Sequence, residues 1–271
     1  MIVHAFSVDV EDWYQVSDFE ELVEFSAWRW YESRIIGNTE RILGLLAEAR
    51  IKATFFILAW NAERHPALPR MIAAAGHEIA SHGYAHRLAY DIGADAFRAD
   101  VERSKKLLED LTGQEVVGYR APSFSVTARS LWAIDVLLDL GFRYDSSILP
   151  VRDQLYGIPN AHRFPYPITR EGQSLTEFPV STVRLGPRTV PLGDGVRAPL
   201  GARPRAAAPP RTRQAGLLDA LSPPPVDGGQ GPTHARRFPL RTRRAGPEAG
   251  AVLRAPAGPG RGAPLTRGTT K

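Results

Sequence analysis

Ala53-Thr54-Phe55-Phe56-Ile57-Leu58, then a helical stretch from about Pro66 to Gly76, then His77-Glu78-Ile79-Ala80-Ser81, is the stretch that decides the fold. A short apolar run, a helix stopped by glycine at a good C′ position and a second apolar run are the parts of one parallel βα unit. The same alternation extends both ways. Val3–Val8 reads as a strand, and Asn38 is placed to cap a helix from Thr39 to about Arg50 with Ile42, Leu45, Leu46 and Ala49 on one face. Downstream come a helix over Asp95–Leu111 closed by Gly113, a strand over Val116–Tyr119, and a helix capped by Thr127 that runs to Leu140. Strands over Phe142–Asp145 and Leu175–Phe178 follow, with Val151–Arg170 read as a long ordered loop. Strands joined by single helices predict a parallel sheet, and in barrels of such units functional groups collect where strands end.

Four strand ends carry groups suited to chemistry. The first opens into Asp9-Val10-Glu11-Asp12-Trp13. Extended backbone puts Asp9 and Glu11 on one face, where two like charges repel and a cation between them relieves the repulsion. An acidic turn in solvent is the plainer explanation for such a cluster. The third ends in Ser81-His82-Gly83-Tyr84-Ala85-His86, whose two imidazoles converge if the chain turns tightly. Two histidines and a carboxylate suit zinc, cobalt or iron and leave positions open for water and substrate. The fourth ends in Tyr119-Arg120-Ala121-Pro122-Ser123-Phe124, where Arg120 is either a surface charge or the partner of Asp9. The fifth ends in Tyr144-Asp145-Ser146-Ser147, where Asp145 is otherwise a turn cap.

These four stretches, in this order, resemble the NodB homology domain of carbohydrate esterase family 4. Tyr119–Ser125, Tyr144–Pro150 and Tyr156-Gly157-Ile158-Pro159 look further like the exosortase-associated deacetylases of exopolysaccharide clusters. The resemblance covers residues 1–193. It implies an α/β fold, a distorted and incomplete (β/α) barrel, that removes N-acetyl groups from an amino-sugar polysaccharide. It implies one divalent metal, zinc first, with cobalt, iron, manganese or nickel as alternatives, held by His82, His86 and an acid. That acid is Glu11 by face alternation or Asp12 if the chain turns there. It also implies Asp9 as general base, Arg120 as its partner, Asp145 as the residue that orients a catalytic acid, and Trp13, Pro122 and Tyr144 around the substrate. A backbone N–H near Tyr144 is expected to help hold the oxyanion.

The expected acid is a histidine in a later His-Pro-Trp-Glu stretch, which the 271 residues do not contain. The late His234 follows three prolines and a glycine pair rather than a strand. Near Gly193 the composition also breaks. Residues 194–271 hold 14 basic against 4 acidic groups, +10, which leaves 20 basic and 25 acidic groups, −5, in residues 1–193. Gly, Ala, Arg and Pro make up 52 of those last 78 residues, too little apolar surface to offset chain entropy, so this tail is expected to be disordered. An out-of-frame translation of a GC-rich gene gives such a composition; a genuine basic tail for acidic partners is the competing explanation.

There is no cysteine, so disulfides and thiolate sites are excluded. No signal peptide and no apolar run long enough to span a membrane is read, which predicts a cytoplasmic protein with no nucleic-acid partner and no membrane span. Three rival functions differ by class: an allantoinase-like amidase on the same fold, a carbohydrate-binding remnant using Trp13, Trp28, Trp30 and Tyr31, and a nucleic-acid binder acting through the tail. Phe238 is the tail's one aromatic, which argues against the last.

Overall fold

The computed structural model describes residues 5–152, 156–186 and 188–192. The expected disordered tail, and with it the reading-frame break, lies outside these residues. Nine strands and five α-helices are seen among them. The parallel strands are β1 (Ser7–Val10), β2 (Thr54–Ile57), β3 (Glu78–Ser81), β4 (Gly118–Tyr119), β5 (Tyr144–Asp145) and β7 (Gln173–Glu177). β6 (Tyr166–Arg170) pairs antiparallel with β7, giving the order β1-β2-β3-β4-β5-β7-β6. A separate hairpin joins β8 (Thr182–Leu185) to β9 (Arg188–Pro191).

Among the described residues β1 pairs with β2 alone and β6 with β7 alone. Among the described residues no strand pair joins the two ends of this mostly parallel α/β sheet. Helices α1 (Ile35–Ala49), α2 (Ala59–Arg64), α3 (Ala67–Ala74), α4 (Ala89–Thr112) and α5 (Trp132–Asp139) supply the outer layer, with α3 and α4 against β3 and α5 against β7. Phe97, Val101 and Leu108 recur at helical spacing on α4 and are buried, each contributing roughly 1.5–3 kcal/mol.

Strand alternation sorts the residues into two rows. Asp9, Phe56, Ala80, Gly118, Tyr144 and Thr176 pair across the sheet in one row. Val10, Ile57, Ser81, Tyr119, Asp145 and Glu177 form the next. The second row faces the helices: the Ser81 and Ser104 hydroxyls lie 2.8 Å apart, and the Tyr119 ring meets Phe97 of α4 edge-on at 5.7 Å.

Several expected boundaries move. The first strand lies over Ser7–Val10 in the described residues, while part of Val3–Val8 lies outside them. Asn38 is not a cap: α1 begins at Ile35 and buries Asn38 inside the helix. The buried stripe of α1 is Ile35, Asn38, Thr39, Ile42 and Leu46, which leaves Leu45 57% exposed and Ala49 on the outside. α4 is kinked at Gly93 (φ 75°, ψ 172°), which separates a first turn from the long helix that follows close to the expected start at Asp95. α5 starts at Trp132 rather than after Thr127, whose backbone N–H is bonded by the Ser130 hydroxyl in a preceding turn. Part of the loop expected over Val151–Arg170 is strand β6, since Ile168 alternates into the core opposite Leu175.

Candidate metal and base site

Glu11, His82 and His86 converge at the C-terminal ends of β1 and β3. His86 Nε2 lies 2.8 Å and His82 Nε2 3.5 Å from Glu11 Oε2, and all three side chains are buried. A small set of bonds makes them meet. After Glu11 the chain turns: Gln15 Oε1 accepts from the Asp12 N–H at 2.6 Å, and the buried Asn61 of α2 pairs with Gln15 and donates to the Val10 carbonyl. The turn sends Asp12 the other way. Its carboxylate accepts from the Ser33 hydroxyl at 2.6 Å and the Arg34 N–H at 3.0 Å, anchoring the start of α1. Burial raises the Asp12 pKa, and these bonds oppose it. Of the two acids left open by the sequence, Glu11 is the one beside the imidazoles.

The histidine loop is shaped by α4. Asp100 Oδ2 accepts from the Tyr84 N–H at 2.7 Å and Oδ1 from the Ala85 N–H at 3.1 Å. Gly83 sits between at φ 73°, where a Cβ would come within 2.7 Å of Asp100 Oδ2. His86 itself has φ 52°, a conformation that persists only when its surroundings enforce it. The Tyr84 hydroxyl donates to Glu63 of α2 at 2.6 Å, and Arg103 lies over the Tyr84 ring. Neither Asp100 nor Glu63 is visible in the sequence as part of a site; each is one more charge on a helix surface.

The triad fits a metal ion. Glu11 Oε2 is a buried carboxylate oxygen without a hydrogen-bond donor. His82 Nδ1 lies 2.8 Å from the Arg120 carbonyl, which can only accept, so the proton sits on Nδ1 and Nε2 offers its lone pair toward Glu11. Burial alone would raise the Glu11 carboxyl; the charge of His86, then contacts with both imidazoles, pull it well below the usual carboxylate range. Burial disfavours a charged His82, yet Asp9 and Glu11 raise its pKa. A cluster whose field draws a proton to a buried imidazole attracts a divalent cation for the same reason. The two-nitrogen, one-oxygen donor set suits zinc and its neighbours.

Arg120 joins this triad to Asp9. Its Nη1 donates to Asp9 Oδ1 at 2.7 Å, its Nη2 to the Ser7 and Ser146 hydroxyls at 3.0 and 2.9 Å, and its Nε to the Ser146 carbonyl at 3.3 Å. The guanidinium lies 4.0 Å over the Phe56 ring. Asp9 keeps 24% of its side chain exposed, enough to meet a ligand, whereas Arg120 keeps 9%.

The other expected residues are placed differently. Asp145 is fully buried, in the row that faces the helices rather than in the row of Asp9. It leans on Glu177, its cross-strand neighbour, and burial raises it to about 6 and Glu177 further. Asp145 Oδ2 and Glu177 Oε2 have no other donor, so one proton between them satisfies both. Glu177 was not singled out in the sequence. Tyr144 does not face a substrate: its N–H donates to the Val117 carbonyl, and its ring crosses Gly118 toward Glu78 and Thr54. Its N–H is therefore already used and cannot hold an oxyanion. Pro122 is buried at the start of a short 3-10 turn, Pro122–Phe124. Trp13 is half-buried and packs edge-on against Tyr14, Phe19 and Tyr31. Of the aromatic group from Trp13 to Tyr31, Trp30 is the most open at 77%.

Residues 32–144 match the family model of the polysaccharide deacetylases, and residues 146–198 match a domain of unknown function, DUF3473. Residues 32–144 are thus similar to polysaccharide deacetylase domains. Among curated proteins, the peptidoglycan-N-acetylglucosamine deacetylase of Bacillus cereus is 33% identical over 98 residues, 36% of this chain and 36% of its own. A chitooligosaccharide deacetylase of Rhizobium leguminosarum bv. trifolii is 30% identical over 109 residues, 36% of this chain and 51% of its own. The chain thus spans about a third to a half of the length of these relatives. A solved structure from Mycobacterium smegmatis, assigned as a polysaccharide deacetylase, is 32% identical, with a TM-score of 0.53 over 65% of this chain and 58% of that one.

Proposed function

We infer that this chain is built to hydrolyse N-acetyl groups on an amino-sugar polysaccharide with one divalent metal. The observation that carries this reading is the meeting of Glu11, His82 and His86 within 4.8 Å, next to an Asp9 held by Arg120. The names of the relatives support amino-sugar substrates, and the resemblance of Tyr119–Ser125 and Tyr144–Pro150 to exosortase-associated deacetylases favours an exopolysaccharide among them.

A divalent ion, zinc above all, bound by Glu11, His82 and His86 supplies Lewis acidity that polarises the acetyl carbonyl and makes water easier to deprotonate. Asp9 is the base that accepts the water proton, and its partial exposure lets it reach that proton. Arg120 pairs with Asp9 and fixes its aim through a fork that also grips Ser7 and Ser146. The Nδ1 bond of His82 to the Arg120 carbonyl holds the imidazole plane in place.

The departing amine needs a proton, and the histidine that would give it has no His-Pro-Trp stretch to supply it in these 271 residues. Asp145 in the helix-facing row does not reach the Asp9 row, so it does not replace that acid. We therefore read the sequence after residue 193 as out of frame and the turnover of this chain as weak, by about 10²–10⁴-fold, the range of one acid–base step. The DUF3473 match ends at residue 198, close to that break. The test is acetate release from chitooligosaccharides with added zinc or cobalt, for the native chain and for Asp9→Asn. Slow, metal-dependent release that Asp9→Asn abolishes is expected; release indifferent to metal and to Asp9 would overturn the reading.

A further inference from the structure

The two family matches meet at one side chain. Arg120 lies within residues 32–144, yet two of the groups that hold it come from residues 146–198: the Ser146 carbonyl, 3.3 Å from Nε, and the Ser146 hydroxyl, 2.9 Å from Nη2. The next residue, Ser147, accepts from the Ala121 N–H at 2.8 Å and so fixes the backbone just past Arg120. Leu149 and Val151 then pack with Phe124 in a small buried cluster apart from the main core. We propose that the stretch matching DUF3473 is a positioning element of the base: by gripping Arg120 and seating Phe124 beside it, this stretch sets the aim of Asp9. The proposal rests on the function inferred above and names residues outside the deacetylase match on which that function depends.

Phe124 reaches its place only through an unfavourable backbone. Ser123 and Phe124 follow one another with φ 50° and 52°, a left-handed conformation that a bulky side chain keeps only where its neighbours enforce it. The neighbours are present. The Phe124 N–H donates to the Ala121 carbonyl at 3.0 Å, and the Ser123 hydroxyl lies 2.6 Å from that of Ser17. The Phe124 side chain is buried against Leu149 and Val151. As a result the guanidinium carbon of Arg120 lies 5.6 Å from the centre of the Phe124 ring, as well as 4.0 Å over Phe56, both within reach of a cation–π attraction.

The two kinds of contact restrain different motions. A guanidinium is a planar fork, so its hydrogen bonds to Asp9, Ser7 and Ser146 act in its own plane. Those bonds resist sliding within the plane and resist tilting poorly. Aromatic rings beside the guanidinium carbon resist the tilt. Ser146 is itself tied down, since its hydroxyl donates to the Phe178 carbonyl at 2.7 Å, next to the end of β7. Asp9 hangs on Nη1 of the same fork, so a tilt of Arg120 displaces the carboxylate that must meet the water proton.

NMR of the arginine side chains in the full zinc-loaded chain tests this, with the Arg120 Nε–H resonance assigned by its absence in Arg120→Lys. The native chain is expected to hold that proton in slow exchange with solvent. Phe124→Leu, which keeps apolar bulk and removes the ring, should lose the slow signal, and Phe124→Tyr, which keeps the ring, should retain it. In acetate release, kcat of Phe124→Leu should fall by about 10–100-fold, the scale of a misaimed group, with KM and zinc affinity unchanged. Should Phe124→Leu unfold the chain, Ser146→Ala decides by the same readouts. A slow Arg120 signal that survives in the folded variants, a signal lost as fully in Phe124→Tyr, or a fall in zinc affinity that matches the fall in kcat overturns the positioning role. Native acetate release indifferent to metal and to Asp9, with the Arg120 signal still lost in Phe124→Leu, overturns the function inferred above and the base role with it, while the grip on Arg120 stands.

Discussion

His82 donates its Nδ1 proton to the backbone carbonyl of Arg120, 2.8 Å away, while the side chain of the same Arg120 holds Asp9 at 2.7 Å. One residue at the end of β4 thus fixes both the imidazole that faces the metal place and the carboxylate proposed as base. Disturbing it should injure binding and chemistry together.

Arg120→Lys keeps the charge but loses the planar fork that reaches Asp9, Ser7 and Ser146 at once. Activity is expected to fall by at least about tenfold with little change in stability, a factor that corresponds to about 1.4 kcal/mol of barrier. Arg120→Ala leaves Asp9 without its partner and should cost about 3 kcal/mol of folding stability, measured by urea denaturation. Native-like stability in the alanine variant would show that the ion pair is not needed to hold the site.

The Asp145–Glu177 pair makes stability depend on pH. Both carboxyls have raised folded-state pKa values, Asp145 to about 6 and Glu177 well above its ordinary range, with burial as the first cause in each. The folded chain therefore retains a proton that the unfolded chain releases above about pH 4. That stabilisation is complete below about pH 4 and is lost as pH rises through about 6 and beyond. Arg120 opposes the shift, while Tyr119 and Tyr166, the register neighbours on either side, bring no charge at these pH values. Glu177→Gln, which can donate to Asp145 and accept from the Ile148 N–H as the protonated acid does, should flatten the fall in melting temperature between about pH 5 and 8. An unchanged slope would mean the pair holds no shared proton.

Asp100 shapes the loop that carries both histidines through its bonds to the Tyr84 and Ala85 N–H groups. Asp100→Asn replaces one acceptor by an amide donor that faces an N–H, so one of the two bonds is lost. Metal affinity should drop about 10–100-fold, the usual effect of losing a group that supports metal ligands. A cobalt-loaded sample should show the same loss as a weakened visible absorption band at equal metal concentration. Equal cobalt affinity in native chain and variant would reduce Asp100 to an ordinary helix charge.

Gly118 must remain glycine because the Tyr144 ring lies across it: an added Cβ would fall 2.0 Å from Tyr144 Cζ. Gly118→Ala is expected to destabilise the chain by about 1–3 kcal/mol, the usual cost of overpacking. The double variant Gly118→Ala, Tyr144→Ala should recover part of that loss in a denaturation series, and a harmless single variant would contradict the packing.

The strand–helix alternation was legible because each buried strand is a short apolar run and most helices end at a glycine or near one. Asp9, Glu11, His82, His86 and Arg120 were legible because each stands at or just past a strand end, and parallel strands bring those ends to one edge of the sheet. The choice between Glu11 and Asp12 was not, since it depends on Gln15 and Asn61, whose pairing spans 46 residues. The early start of α1 was hidden because Asn38, a good capping residue in isolation, is buried on the helix stripe. Strand β6 was missed because Tyr166–Arg170 alternates only weakly and contains Pro167. The Asp145–Glu177 pair was not legible, because two acids far apart in sequence become a buried pair only once β7 is laid beside β5.

The central claim is that Glu11, His82 and His86 hold one metal ion. Zinc titration by calorimetry, on the native chain and on Glu11→Gln, His82→Ala, His86→Ala and Asp12→Asn, tests it most directly. One ion per chain in the native protein, lost in the first three variants and kept in Asp12→Asn, is the result predicted. Undiminished zinc binding in Glu11→Gln, or loss of binding in Asp12→Asn without loss of fold, would contradict it.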